Sequence, residues 1–458
     1  MNKISKTLII IFLLPILFFS SCNIFDEAET ISAEDEIREI MPFNQYLTAY
    51  WRGLDMGRYQ LQWSQHLGGV SSRHLNIDRY EMSTTHNNDI WYFYYNYIFY
   101  DLHHMINLAN EMDSRAYRGM TRILKAYSLG FMTDTWGDIP HEHATDYITG
   151  TSFPEYDTQD LLYMQILNLL DNGINDLNQA RTDNNGPMPT AESDPIYHGN
   201  LDQWERAANA IRLRHLLRMG NQQQDYSQAH QHITNRQGLA GSSDDMIYYF
   251  DESLDQVNPH YFFDNTSRPT RVGAFFVNLL KEQEDPRLPY FVSQNNSGEY
   301  KGTLPGEGLF NASFPGEAVA SSQTPIALIC YTEQKFMEAE VYLRMGEQSM
   351  ADQAFEEAVI ASLRSFDIEE PDWEAEHAQI ENVSMEQIIN AKYIALFLNP
   401  EVWSDYRRTG YPELPPYEDA AQEEIPRRFL YPSEEFNLNG DNVPSDTDLY
   451  TRMWWDTE

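Results

Sequence analysis

Residues 119–144, GMTRILKAYSLGFMTDTWGDIPHEHA, constrain the fold more than any other stretch. No breaker interrupts residues 120–133, and Ile123, Tyr127 and Phe131 recur every four residues. That spacing gives a helix one face built for packing, with Arg122, Lys125 and Ser128 expected on the outer side. Trp136-Gly137-Asp138-Ile139-Pro140 then stops the helix. Gly137 admits left-handed backbone, and Pro140 holds Ile139 extended, so the chain leaves in a fixed direction. A helix of this kind needs partner helices, and the chain supplies them.

Residues 34–54 have helical spacing, with Ile37, Ile40 and Tyr50 as core positions. Residues 89–112, DIWYFYYNYIFYDLHHMINLANEM, place Trp91, Tyr95, Ile98 and Leu102 on one buried stripe. Residues 154–180 give a turn and an amphipathic helix, with Asp157 or Thr158 as its cap and Leu162, Ile166, Leu169 and Leu170 facing inward. Residues 332–366 read as a helical hairpin: Phe336, Ala339 and Leu343, a stop at Gly346, then Ala354, Phe355 and Ala358. Small residues at such spacing let antiparallel helices approach closely, as in tetratricopeptide-type pairs, although no 34-residue repeat recurs along the chain. The predicted class is mainly α, with helix pairs as a scaffold.

Acids outnumber bases 70 to 31, which argues against a nucleic-acid footprint, because a phosphate backbone demands a positive face. At the N-terminus, Lys3 and Lys6 precede an apolar run over residues 8–19, and Ser20-Ser21-Cys22 follow. The run is of secretory length and too short to span a bilayer with its flanks, so residues 1–21 are expected to be a signal peptide. A cysteine directly after small residues resembles a bacterial lipobox, which would make Cys22 the lipidated N-terminus of a tether over residues 22–33. Residues 34–458 are expected to form a single helical domain. The other cysteine, Cys330, is expected to be a small buried hydrophobe, with no internal disulfide.

Residues 57–88 mix Tyr59, Trp63 and Tyr80 with amides, arginines and the Gly68-Gly69 pair, the composition of an ordered functional loop. Aromatic faces beside amides suit a carbohydrate or another polar organic ligand, whose C–H surfaces stack while its hydroxyls need fixed partners. Residues 290–325, rich in Pro, Gly, Ser and Asn, read as an excursion forming part of one wall of that ligand face. Asp101 and His104 stand at i and i+3 without a third ligand, and His141-Glu142-His143 lacks the helical spacing of a zinc protease, so no metal or other cofactor is expected. Among Arg212, Arg214, Arg218, Arg407 and Arg408, buried pairing with carboxylates is the expected role. No nucleophile elbow, P-loop, zinc-protease or dinucleotide motif is present, and no carboxylate pair stands out for glycoside hydrolysis.

Four clusters, taken in order, carry a family resemblance: T-D-T-W-G-D-I-P at 133–140; D-P-I-Y-H-G leading through Trp204 to A-N-A-I-R-L-R; Asp285-Pro286-Arg287-Leu288; and the last third from Met385, with A-K-Y-I-A, E-V-W-S-D-Y-R-R-T-G-Y-P, I-P-R-R, Tyr431-Pro432 and the terminal Trp454-Trp455. The chain resembles the SusD/RagB-like nutrient-binding lipoproteins of the Bacteroidetes outer membrane, in their second SusD-like branch. His143-Ala144 and Ala391 depart from the usual pattern. The resemblance implies a non-enzymatic cell-surface binding protein, lipid-anchored to the outer membrane and facing the exterior, with Asp26-Glu27 similar to an acidic export signal. It implies delivery of an oligosaccharide or other polymer-derived nutrient to a SusC-like TonB-dependent transporter, with glycan as the default ligand and peptides also compatible. A glycan-processing enzyme and a helical-repeat interaction scaffold are the alternatives. On the binding reading, Trp63, Arg73, Tyr80, Trp91 and Tyr94 are the expected ligand residues, with residues 260–325 as the fallback.

Overall fold

The computed structural model describes residues 31–141, 144, 153–183, 186–254, 256–267 and 269–457. The expected signal peptide, Cys22 with its lipidation, Asp26-Glu27, Glu142-His143 and Arg268 lie outside the described residues. Residues Ala33–Glu458 form one compact unit, mainly helical.

The Arg115–Trp136 helix sits at the centre. It packs against the Tyr100–Glu111 helix on one side and against Gln159–Thr182 on the other, and the latter packs in turn on Leu201–Gln223. Tyr331–Arg344 continues the stack and forms a hairpin with Gln348–Arg364, which Met385–Ala395 closes. The hairpin has its own core of Phe336, Ala339, Ala354, Phe355, Ala358, Ile388 and Ile389, where alanines let the helices close up. Here the expected helix pairs are present.

The central helix is covered on all sides, not one. Of the three residues expected outside, Lys125 and Ser128 are buried, and Arg122 reaches the surface beside the part-exposed Arg115 and Arg118 and pairs with Asp176. Polar groups this deep survive only when paired. Asp134 accepts from Tyr163 Oη at 2.5 Å, Trp455 Nε1 at 2.9 Å and Arg218. Arg218 also grips Glu401, Arg214 pairs with Glu333 at 2.8 Å, and Arg408 pairs with Glu340 and, at 3.0 Å, with Asp405. Arg212, half-buried, reaches Asp171 at 3.3 Å. Arg407 departs from the expected pattern. It donates to the backbone oxygens of Asp134 and Arg427, both at 2.8 Å, and lies 3.5 Å over the Trp403 ring. A planar guanidinium serves carbonyls and an indole as readily as a carboxylate.

The exit turn is rigid for visible reasons. Gly137 has φ 84° and ψ −120°, a region open only to glycine, while Thr133 Oγ1 donates to its carbonyl at 2.7 Å. Ile139 pairs antiparallel with Asp157, and Asp138 Oδ1 accepts from Gln159 N at 2.8 Å. That bond, not Thr158 or Asp157, caps the next helix, because Asp157 is turned to receive His141 N at 2.9 Å.

Residues 57–88 are more regular than expected. They hold the end of the Asp55–Trp63 helix, a strand Leu67–Gly69 and a helix Ser72–Asp78. The strand pairs antiparallel with Thr270–Val272, and the excursion over 290–325 folds onto both. A Cβ on Gly68 would lie 2.4 Å from Thr303 Cγ2, and one on Gly69 2.1 Å from the His74 carbonyl, so the glycine pair is required for close approach. Gly306 N donates to Asp78 Oδ2 at 2.6 Å and Arg79 returns a bond to the Gly306 carbonyl.

Candidate functional site

The helix over residues 88–111 is not uniformly α. It runs as α over Asn88–Phe93, as π over Tyr94–Phe99 and as α again over Tyr100–Glu111. A π turn inserts one residue and rotates everything beyond it, and such turns recur at functional sites. Its effect here is measurable. Tyr92 and Tyr97, five apart and on diverging faces of an ideal α-helix, bring their ring centroids within 6.2 Å, and Tyr97 stacks on Phe93 at 5.2 Å and 27°. Tyr92 is 49% exposed and Tyr97 40%, and the exposed Asn96 donates its Nδ2 to the Tyr92 carbonyl at 2.9 Å.

From there ring contacts continue through the buried Trp51 to the half-buried Tyr50 and Tyr46. Phe93 meets Trp51 at 4.8 Å, Trp51 meets Tyr50 at 6.4 Å, and Tyr50 meets Tyr46 at 5.3 Å. Tyr46 in turn touches Phe43, which is 47% exposed, and Tyr248 of the short Met246–Tyr248 strand. The result is a shelf of rings across three chain segments far apart in sequence. Burial pushes the Tyr46 hydroxyl up to about 12, so it stays a neutral donor and acceptor.

On the other side of Tyr92 the shelf drops into a cleft of about 290 Å³, lined by Trp91, Tyr92, Asn96, Pro140, Glu434 and Glu435 among others. Tyr156 stacks over Trp91 at 6.2 Å and 21° and donates to Glu435 Oε2 at 2.8 Å. Asn88 Nδ2 donates to Ser433 Oγ at 3.1 Å, and Tyr95 Oη to the Pro140 carbonyl at 2.7 Å. Rings, amides and carboxylates in one concave surface offer stacking for C–H faces and fixed partners for hydroxyls.

The five residues expected at the ligand occupy different places. Trp91, 7% exposed, lines the cleft. Arg73 is on the surface, held 3.0 Å from Asp55. Tyr94 is 1% exposed and belongs to the core beneath the shelf. Trp63 is fully buried, its Nε1 donating to the Ile77 carbonyl at 2.9 Å and its ring against Trp403 and Phe429. Tyr80 has φ 64° and accepts Tyr417 N at 3.0 Å, clamping a neighbouring loop. Trp63 and Trp91 are nonetheless linked, ring to ring, through Phe429 and Trp136. The Trp136 turn therefore supports the cleft from below. The exposed residues Tyr92, Asn96 and Tyr97 were missed because α periodicity cannot reveal a π turn.

Among the described residues no group of three or more His, Cys, Asp or Glu is placed to hold a metal, and His104 instead meets Glu36 at 2.8 Å. No helix among them is long and apolar enough to cross a membrane.

Residues 37–432 match the SusD-like family described as "Starch-binding associating with outer membrane". Among solved structures, the fold is similar to a chitin-binding SusD homolog from Flavobacterium johnsoniae, with TM-score 0.79 and 22% identity over 92% of this chain and 99% of that one. It is also similar to a SusD homolog from Bacteroides vulgatus, with TM-score 0.80 and 19% identity over 92% and 97%, and to a SusD-like protein from Bacteroides thetaiotaomicron, with TM-score 0.77 and 19% identity over 92% and 99%. At these identities the likeness shows the fold. No curated protein matches the chain.

Proposed function

Since the chain belongs to the SusD-like family of starch-binding proteins that associate with the outer membrane, we propose that it is a non-enzymatic glycan-binding lipoprotein whose ligand lies along the aromatic shelf and into the Trp91 cleft. The observation that carries this reading is the π turn at Tyr94–Phe99, which holds Tyr92 and Tyr97 side by side in solvent next to Asn96. Exposed rings grouped across separate segments are costly to leave wet and mark a binding surface. An extended shelf suits a polymer better than a single small molecule, and the chitin-binding homolog from Flavobacterium johnsoniae has the same fold. Trp91 forms the cleft wall, while Trp63, Tyr80 and Tyr94 act by holding the surface in shape. Arg73, on the surface and paired with Asp55, is proposed as a further ligand contact.

In this reading residues 1–21 are removed on export, Cys22 carries the lipid, residues 22–33 form the tether, and residues 34–458 act as one domain. The protein sits on the exterior of the outer membrane and passes its ligand to a SusC-like TonB-dependent transporter. Affinity electrophoresis against a panel of polysaccharides and peptides tests the ligand class: retardation by a glycan, lost in Tyr92→Ala and Tyr97→Ala, supports it. Turnover of the same glycan, abolished by a single substitution at Glu434 or Glu435, would make it an enzyme. Release of a Cys22→Ala variant from membranes and co-purification with the transporter test anchoring and delivery.

A further inference from the structure

Behind the shelf lies a cavity of about 400 Å³ that the site above does not use. The two share a wall, the two-stranded sheet of Met246–Tyr248 and Ile326–Ile329. Side chains alternate across a strand, so Tyr248 packs its ring on Tyr46 of the shelf while Ile247 lines the cavity. The cavity is entered past Ala318 and Ser365, both exposed. Its size falls within the range of small-molecule sites.

Charge inside it is already balanced. Arg52 is fully engaged: it donates to Tyr127 Oη at 2.5 Å and to Asn399 Oδ1, and lies 3.6 Å from the Glu401 carboxylate. Burial pushes the Asp245 carboxyl up to about 7, and that carboxyl accepts Tyr331 N at 2.6 Å. One polar group is left over. His260 is buried in the lining, and its Nδ1 has no hydrogen-bond partner; burial and the neighbouring Arg58 hold the ring uncharged. A buried unpaired nitrogen costs free energy that a hydrogen-bonding occupant recovers. The remaining walls, Val319, Phe366, Phe397 and Leu398, are apolar.

We infer that this cavity is a second binding site, which takes one neutral sugar ring. The inference rests on the glycan reading of the shelf. Neutral hydroxyl or amide groups match the unpaired His260 Nδ1, a C–H face matches the apolar walls, and a charged sugar finds no free counter-charge.

Saturation-transfer difference NMR on the full chain with N-acetylglucosamine and with glucose tests the inference. The expected result is monosaccharide signal from wild type that falls at least tenfold in Ser365→Trp, which plugs the exposed mouth, and in Ala327→Phe, which fills the interior. The signal is retained in Tyr97→Ala. Thermal melts confirm that Ser365→Trp folds as wild type. Signal that survives Ser365→Trp, or disappears in Tyr97→Ala, places the monosaccharide elsewhere and overturns the inference. Wild type that binds an oligosaccharide but no monosaccharide overturns the cavity site and leaves the shelf standing, whereas absence of binding to any sugar overturns both.

Discussion

At the scale of single residues, the molecule separates support from contact. Gly137 sits where φ 84° and ψ −120° exclude a side chain, so Gly137→Ala should cost about 1–3 kcal/mol and lower the melting temperature. Its ligand affinity, measured on the folded fraction, should stay at the wild-type value. Tyr97 is the converse case. Its ring is exposed and no core depends on it, so Tyr97→Ala should weaken glycan binding about tenfold or more, about 1.4 kcal/mol, without moving the melt. The framework residues were legible in sequence: acids and an aromatic crowd the turn at Asp134 and Trp136 and suggest chemistry, but the packed helix before them makes them scaffold, and the arginines read as buried partners of carboxylates. The contact residues were not. Tyr92, Tyr97 and Tyr94 are the same residue type within six positions, and only the backbone decides which are wet.

At the scale of elements, that decision belongs to the π turn. A helix read at 3.6 residues per turn correctly puts Trp91, Ile98 and Leu102 inside and Tyr97 outside, but it sets Tyr92 and Tyr97 about 140° apart and so gives no sign that their rings meet. Because a π turn is one inserted residue, deleting Asn96 should restore continuous α-helix while leaving the flanking registers in place. In that variant Tyr92 and Tyr97 stand at i and i+4 and still share a face, so it is expected to fold, to keep its helical circular dichroism, and to hold glycan affinity within about threefold of wild type. A tenfold or greater loss in that deletion would show that the ring pair alone does not build the surface. The helix pairs themselves were readable from spacing and small residues. Residues 57–88 were read as a loop because their polar content hides helices whose glutamines and arginines are buried with partners: Gln60 donates to Thr135 Oγ1 at 2.9 Å, and Arg58 to Thr270 Oγ1 at 2.7 Å.

At the scale of the whole molecule, stability at low pH rests on the buried ion network that ties the helix stack to the segment after residue 400. Burial alone would raise the Glu340 carboxyl, but Arg408, Arg344 and Lys392 outweigh it and hold it down to about 2, below its ordinary 4.5. Glu401 is depressed in the same way, with Arg214, Arg218 and Arg52 overcoming burial. A depressed carboxyl contributes stability above its unfolded value and loses it as pH falls through that value towards the folded one. For Glu340 this is about 3 kcal/mol, lost between about pH 5 and pH 2. Urea unfolding followed across that window should show the decline, and Glu340→Gln should flatten it while lowering stability at pH 7. The connectivity of this network across more than two hundred residues could not be derived from composition, although the family motifs marked most of its members. The central claim is that the scaffold exists to hold a glycan against the aromatic shelf. Calorimetric titration of a bound oligosaccharide into wild type and a Tyr92→Ala/Tyr97→Ala double variant tests it most directly. The account predicts at least a hundredfold loss of affinity with an unchanged melting temperature, and wild-type affinity in the folded double variant would contradict it.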